Sequence, residues 1–299
     1  MSGNGTLEPA SRRDTMPLRS TATARQERLG AELRKMREAA GITARDTARL
    51  LGTDPAKVSH IEAGRLGVSE ERLRRLASFC ECGDTELIDA LVVMANGLGR
   101  KGWWEAYRGV VPAALLDIAE LEFHATALRT IQITHIPGVF QTEDYTRTVF
   151  GYAIPPLPPG ELEARVAQRM ERSGVLYRES APPYEAVIHE AALRMRFGGG
   201  KVARAQLEHL MELSHLPHIK VRVIPFAADG HIGSGHAMLY TSGAVRALDT
   251  VQIDSAHGVT FLHAASQLAN YRTLYNTLAA VALDESRSRD FIHSASREL

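Results

Sequence analysis

The chain has 299 residues, enough for two ordinary domains, and its 44% hydrophobic and 23% charged content is that of a globular protein, not a disordered one. Lys plus Arg and Asp plus Glu number 35 each, so the total charge indicates no polyanionic partner, and the longest apolar run, residues 90–95, is far short of the ~18–20 residues a spanning helix needs. Two cysteines, Cys80 and Cys82, exclude a disulfide framework; with no apolar h-region near the start, the expectation is a cytoplasmic protein without a membrane partner.

Residues 1–24, rich in Ser, Thr, Gly and Arg and lacking hydrophobic periodicity, read as a disordered tail. From Arg25 the pattern turns helical. Leu29, Leu33, Met36 and Ala40 share one face, and Gly41 stops the helix. Thr43 can cap a short second helix that buries Ala48 and Leu51 and ends at Gly52. Asp54 followed by Pro55 is a cap and first-turn pair for a third helix, with Val58 and Ile61 facing inward and Gly64 as its stop. Ser69 caps a fourth, with Glu70 and Glu71 in its first turn and Leu73, Leu76, Ala77 and Cys80 as the apolar stripe. A fifth spans about 85–96. Residues 25–80 hold twelve basic and eight acidic side chains, whereas 81–299 carries a net charge of −5. That gradient suits a polyanion-binding module attached to a mildly acidic body.

The run GLGRKG at 97–102 breaks the helical pattern and marks a linker between an all-α domain, 25–96, and a body, 103–299. In the body, residues 127–134, 184–189, 219–225, 237–241 and 245–253 are rich in β-branched residues and read as strands. Helical stretches fall at 142–150, 160–178, 201–215, 264–282 and 286–297, and the Pro-rich residues 155–159 form a stiff connector. The fold expected is therefore multidomain: a five-helix N-terminal domain and an α/β or α+β C-terminal domain.

The stretch from Thr43 to Gly64, TARDTARLLGTDPAKVSHIEAG, resembles the Cro/CI-like (XRE-type) helix-turn-helix of lambda-repressor-like domains. Ala48 is small where two helices cross, Gly52 makes the tight turn, and Val58 and Ile61 pin the second helix so that its leading end faces a major groove. The recognition helix is then 54–63. By resemblance, Pro55, Ala56, Ser59 and His60 fall where the family contacts base edges, flanked by Thr53, Asp54 and Arg65. Pro55 and Ala56 offer apolar contact, whereas Ser59 and His60 can hydrogen-bond. Lys57 and Arg45, with the backbone near Thr43, suit phosphates. Glu62 is an acid in a core-facing Ile-Glu-x-Gly, and the resemblance implies a structural pair with Arg37. Thr47 departs from the pattern, which usually has an apolar side chain there. The partner implied is double-stranded DNA, bound by a homodimer because one such helix reads only a few base pairs.

Further along, GWWEAY at 102–107, LRTIQITHIPGVFQTEDYTRTVF at 128–150 and RAQLEHLMELSHLPHIKVRVIPF at 204–226 resemble the large C-terminal domain of actinobacterial XRE-type regulators, with IPGVFQTEDY the most specific piece. The resemblance implies a regulator in an antitoxin-like arrangement; the expectation is a nucleoid-associated homodimeric repressor, and the alternative is an antitoxin-like interaction module that holds a small partner protein, with DNA binding secondary. It also implies that the body serves dimerisation, a small partner protein or a small-molecule effector. Trp103 and Trp104 are read either as an interface anchor or as a staple between the domains, and Phe140 and Tyr145 as core. Ten of the twelve histidines lie within 124–263, yet no H-E-x-x-H, C-x-x-C or G-x-S-x-G accompanies them. The Gly-x-Gly of 233–235 has no helix after it to cradle phosphate, and Gly198-Gly199-Gly200 reads as a hinge. Cys80 and Cys82 would point to different sides of a helix. The expectation is a binding protein, not an enzyme, with no cofactor and no metal.

Overall fold

The computed structural model describes residues 22–97, 102–229, 236–255 and 258–299. The expected tail up to residue 21, most of the expected linker and the Gly-x-Gly near His236 lie outside the described residues. The chain divides into two units, residues 1–83 with 91–98, and residues 84–90 with 99–299. Among the described residues, no helix is long and apolar enough to cross a membrane.

The N-terminal region is all-helical, with α1 (Ala24–Ala39), α2 (Ala44–Leu50), α3 (Pro55–Glu62), α4 (Glu70–Phe79) and α5 (Thr85–Gly97), of which residues 85–90 fall in the second unit. Side-chain caps fix where all five begin, Asp84 Oδ1 accepting from the Leu87 N–H at 2.9 Å at the start of α5. Thr23 and Gln26 form a reciprocal capping box, so the first helix starts inside the stretch expected to be tail. Thr43, Asp54 and Ser69 each accept from the backbone N–H three residues on. Leu29, Leu33, Ala48, Leu51, Val58, Ile61, Leu73, Leu76 and Ala77 are buried. Ala40, expected on the apolar face of α1, is exposed, because the helix has already closed there with Ala40 as its C-cap. Likewise Cys80 is the buried C-cap of α4 and Cys82 lies beyond its end, so the two do not share a helix.

Glycines set the closest approaches in this unit. A Cβ on Gly30 would lie 2.5 Å from the Glu62 carbonyl oxygen and 2.6 Å from that of Ile61, so α1 and the last turn of α3 touch backbone to backbone. Gly64, at φ +71, passes equally close to the backbone of Gln26, whereas Gly52, at φ +61, has open space around it and only turns the chain.

The second unit contains α6 (Ala113–His124), β1 (Ala127–Gln132), α7 (Glu143–Gly151), α8 (Pro159–Ser173), β2 (Tyr184–His189), α9 (Glu190–Arg194) and α10 (Gly199–Leu213). It continues with β3 (Ile219–Ile224), β4 (Met238–Ser242), β5 (Thr250–Ser255), β6 (Gly258–Leu262), α11 (Ala265–Val281) and α12 (Glu285–Glu298). The described strands form one mixed sheet in the order β3-β2-β1-β4-β5-β6. Strands β1, β2 and β3 run parallel, and β4, β5 and β6 are added antiparallel on the other side of β1. Period-two alternation gives the sheet two apolar faces. Leu128, Ala186, Ile188, Val221, Val223 and Leu239 pack with Tyr145 of α7, Leu207 and Leu210 of α10 and Ile292 of α12. On the opposite face Ile131, Val187, Ile224, Tyr240 and Val251 pack with Leu268, Tyr275 and Leu278 of α11. Helices on both faces of a partly parallel sheet make this an α/β unit.

Several expectations for this unit need correction. The single strand expected over 245–253 is a 3-10 turn at Arg246–Leu248 followed by β5. Buried Asp249 causes the break, accepting from the Tyr240 hydroxyl at 2.6 Å and from the Gly243 N–H at 3.0 Å. Helices α6 and α9 and strand β6 were not expected. Gly198-Gly199-Gly200 opens a helix: Gly198, at φ +75, is the N-cap of α10, and a Cβ on Gly200 would lie 2.5 Å from the Leu299 carbonyl oxygen. Trp104 is buried with Val111, Leu116 and Ala119 in the unit's own core.

Candidate nucleic-acid interface

The local rules that start α2 and α3 also build the candidate site. Thr43 Oγ1 accepts from the Asp46 N–H at 3.2 Å and donates to Asp46 Oδ2 at 2.5 Å, and this hydroxyl holds the Asp46 carboxyl below its ordinary range. Asp54 Oδ1 accepts from the Lys57 N–H at 2.8 Å, which likewise lowers the Asp54 carboxyl, and Lys57 Nζ lies 3.5 Å from Asp54 Oδ2. Thr43 and Asp54 thus spend their side chains on helix starts. They contribute to an interface by aiming the helices.

α3 has two contrasting sides. Val58 and Ile61 are 2% and 6% exposed, whereas Pro55, Ala56, Lys57 and Ser59 all face solvent. Thr43, Arg45, Asp54 and Arg65 are exposed as well, and Thr53 and His60 are half-buried. The Ser59 hydroxyl donates to the Pro55 carbonyl at 3.1 Å, which leaves its oxygen free to accept. The His60 carbonyl accepts from the N–H groups of Arg65 and Leu66, so the chain turns back at once and Arg65 stands just past the helix end. All ten candidate residues therefore lie within or directly beside α2 and α3, and none is buried.

Arg37 and Glu62 meet in a two-pronged ion pair, Nε to Oε1 at 2.6 Å and Nη2 to Oε2 at 3.0 Å, and Nη1 donates to the Ile42 carbonyl at 2.8 Å. The bond to Glu62 raises the Arg37 guanidinium above its ordinary value. Both side chains are 11% exposed. One guanidinium therefore ties the end of α1, the turn before α2 and the end of α3 into a fixed frame. Gly30 belongs to the same frame and was not singled out from the sequence. Its only signal was a glycine inside a helical pattern, where alanine would ordinarily serve better.

Such a frame, with a capped, outward-facing second helix after a glycine turn, defines a helix-turn-helix domain, and a helix-turn-helix family model matches residues 28–91. A second model, a domain of unknown function (DUF5753), matches residues 115–294, more than half of the chain, and the chain belongs to that family. No curated protein and no solved structure matches it.

Proposed function

We propose that the chain is a sequence-specific transcription regulator, a homodimeric repressor that sets α3 in the major groove of DNA. The observation that carries this reading is the asymmetry of α3, whose inner side is locked into the unit while its leading end is open to solvent. Arg45, Lys57 and Arg65 take phosphates, together with the backbone N–H groups at the start of α2. Thr53, Pro55, Ala56, Ser59 and His60 face base edges: Pro55 and Ala56 meet a thymine methyl, and Ser59 and His60 supply the hydrogen bonds. The protein is a binding protein on this reading, and it performs no catalysis. Selection of duplex sites from a random pool with the full chain provides the test. The selected sites should form two half-sites about one helical turn apart. His60→Ala should relax the preference at one position per half-site, a discrimination of about 1–3 kcal/mol. A purified chain that ignores duplex DNA at low ionic strength would reject the reading.

A further inference from the structure

The second unit contains a cavity of about 420 Å³, within the ~300–1,000 Å³ range of small-molecule sites. Its place in the sheet is telling. Strand β1 is where the parallel half ends and the antiparallel half begins, and in α/β sheets ligands bind beyond strand ends at such a reversal of order. The floor departs from the apolar rule that governs the rest of this face. Where β2 and β3 supply Ala186, Ile188, Val221 and Val223, β1 supplies Thr130 and Gln132, and β5 supplies Gln252 and Asp254. Thr134 and Asp254 stand exposed at the mouth, whereas Thr130, Tyr184 and Glu122 at the bottom are at most 2% exposed.

Two arginines from α8 close the cavity. Arg172 is 6% exposed, and its Nε lies 3.0 Å from Glu122 Oε2, but the two are not aligned as a hydrogen bond. Arg169 donates from Nη1 to Gln141 Oε1 at 2.8 Å, and its buried Nε has no hydrogen-bond partner. A purely structural ion pair satisfies its donors, because an unmade bond at a buried charge is expensive. Burial, and then the neighbouring Arg172 charge, depress the Arg169 guanidinium to about 9 against the opposing pull of Glu122 and Asp254. Gly138 makes room for both groups: a Cβ there would fall onto Arg172 Nη2 and lie 2.9 Å from Arg169 Nη1. The loop that carries Gly138 is pinned, with Gln141 Nε2 donating to the Ile136 carbonyl and Gln206 Nε2 to that of Phe140.

We propose that this cavity is the binding site of a small oxyanion-bearing metabolite, its carboxylate or phosphate held by Arg169 and Arg172 beneath Gly138 and its hydroxyl or amino groups by Gln132, Gln252 and Asp254. The site gives the effector of a DNA-binding regulator a place and a chemistry, but it stands on the second unit alone. Its test therefore uses the full chain without DNA. Thermal unfolding is followed against inorganic phosphate and, separately, acetate, with chloride at matched ionic strength as reference. A saturable rise of about 5 °C in Tm is expected from at least one of the two oxyanions, and which one acts tells phosphate from carboxylate. Arg169→Gln should abolish the rise, and Arg287→Gln, on the exposed side of α12, should keep it. Gly138→Ala provides a second variant should Arg169→Gln fail to fold. The atoms it displaces are the ends of flexible side chains, so the fold is kept while the anion site is spoiled. Flat curves with both oxyanions, or equal shifts in the Arg169 and Arg287 variants, would overturn the proposal. Loss of operator binding with the shift intact would instead count only against the DNA reading.

Discussion

Thr47 and Glu62 are both polar residues in the helix-turn-helix core, yet they call for opposite outcomes on substitution. Thr47 is 1% exposed and its hydroxyl has no hydrogen-bond partner, so the group was stripped of water without compensation. Thr47→Val keeps the shape and removes the orphaned oxygen. It should stabilise the first unit by about 1 kcal/mol, read as a higher denaturant midpoint at unchanged slope. Glu62 is the reverse case, since it satisfies two prongs of Arg37. Glu62→Ala leaves that guanidinium unpaired in a nearly buried position and should cost about 3 kcal/mol. Unchanged stability with lost DNA binding would show that Glu62 contacts the ligand instead. The Thr47 anomaly was visible in the sequence as a departure from a pattern. What the hydroxyl lacks was not, because a partner can be counted only once the neighbours are placed.

At the level of elements, legibility followed the local signals. The starts of α2, α3 and α4 were readable to within a residue because Thr43, Asp54-Pro55 and Ser69 announce them. α6 begins after Pro112 with no side-chain cap, so no capping residue announces its start. β6 is short, half-exposed and paired on one side only, with β5, which leaves little alternation to read. The polar residues of β1 and β5 were hardest of all. In sequence Thr130, Gln132 and Gln252 look like the solvated side of a strand, and only the register puts them on the face that packs against α7 and α10. The contact of α1 with α3 makes its own prediction. Gly30→Ala improves helix propensity, which favours α1 taken alone. Its methyl would nevertheless strike two backbone carbonyls of α3, which cannot rotate away as a side chain would. The collision should win, with a loss of about 2 kcal/mol and a tilt of the reading helix. Amide exchange should therefore quicken in α3 before α4, whereas uniform protection would refute the backbone-contact argument.

For the molecule as a whole, the proposed homodimer makes a prediction about how many copies would engage one operator, and salt dependence counts them. Each proposed module offers three phosphate ligands with full charges, Arg45, Lys57 and Arg65, all exposed. Lys57 Nζ lies 3.5 Å from Asp54 Oδ2, an exposed pair that costs little to part when a phosphate replaces the carboxylate. A single copy neutralising three phosphates gives a slope of log affinity against log salt near −3, and two copies on a two-fold site give about −5. Lys57→Ala then discriminates without reference to absolute affinity. It removes one phosphate contact per copy, so the slope should fall by about 2 if a dimer binds and by about 1 if a monomer does. Because the lost contact is to the backbone, specific and random duplexes should weaken in the same proportion. The homodimer reading requires the larger change. A loss of about 1, with one half-site sufficing in the selected sequences, would make the operator-bound species a monomer and remove the second copy from the mechanism.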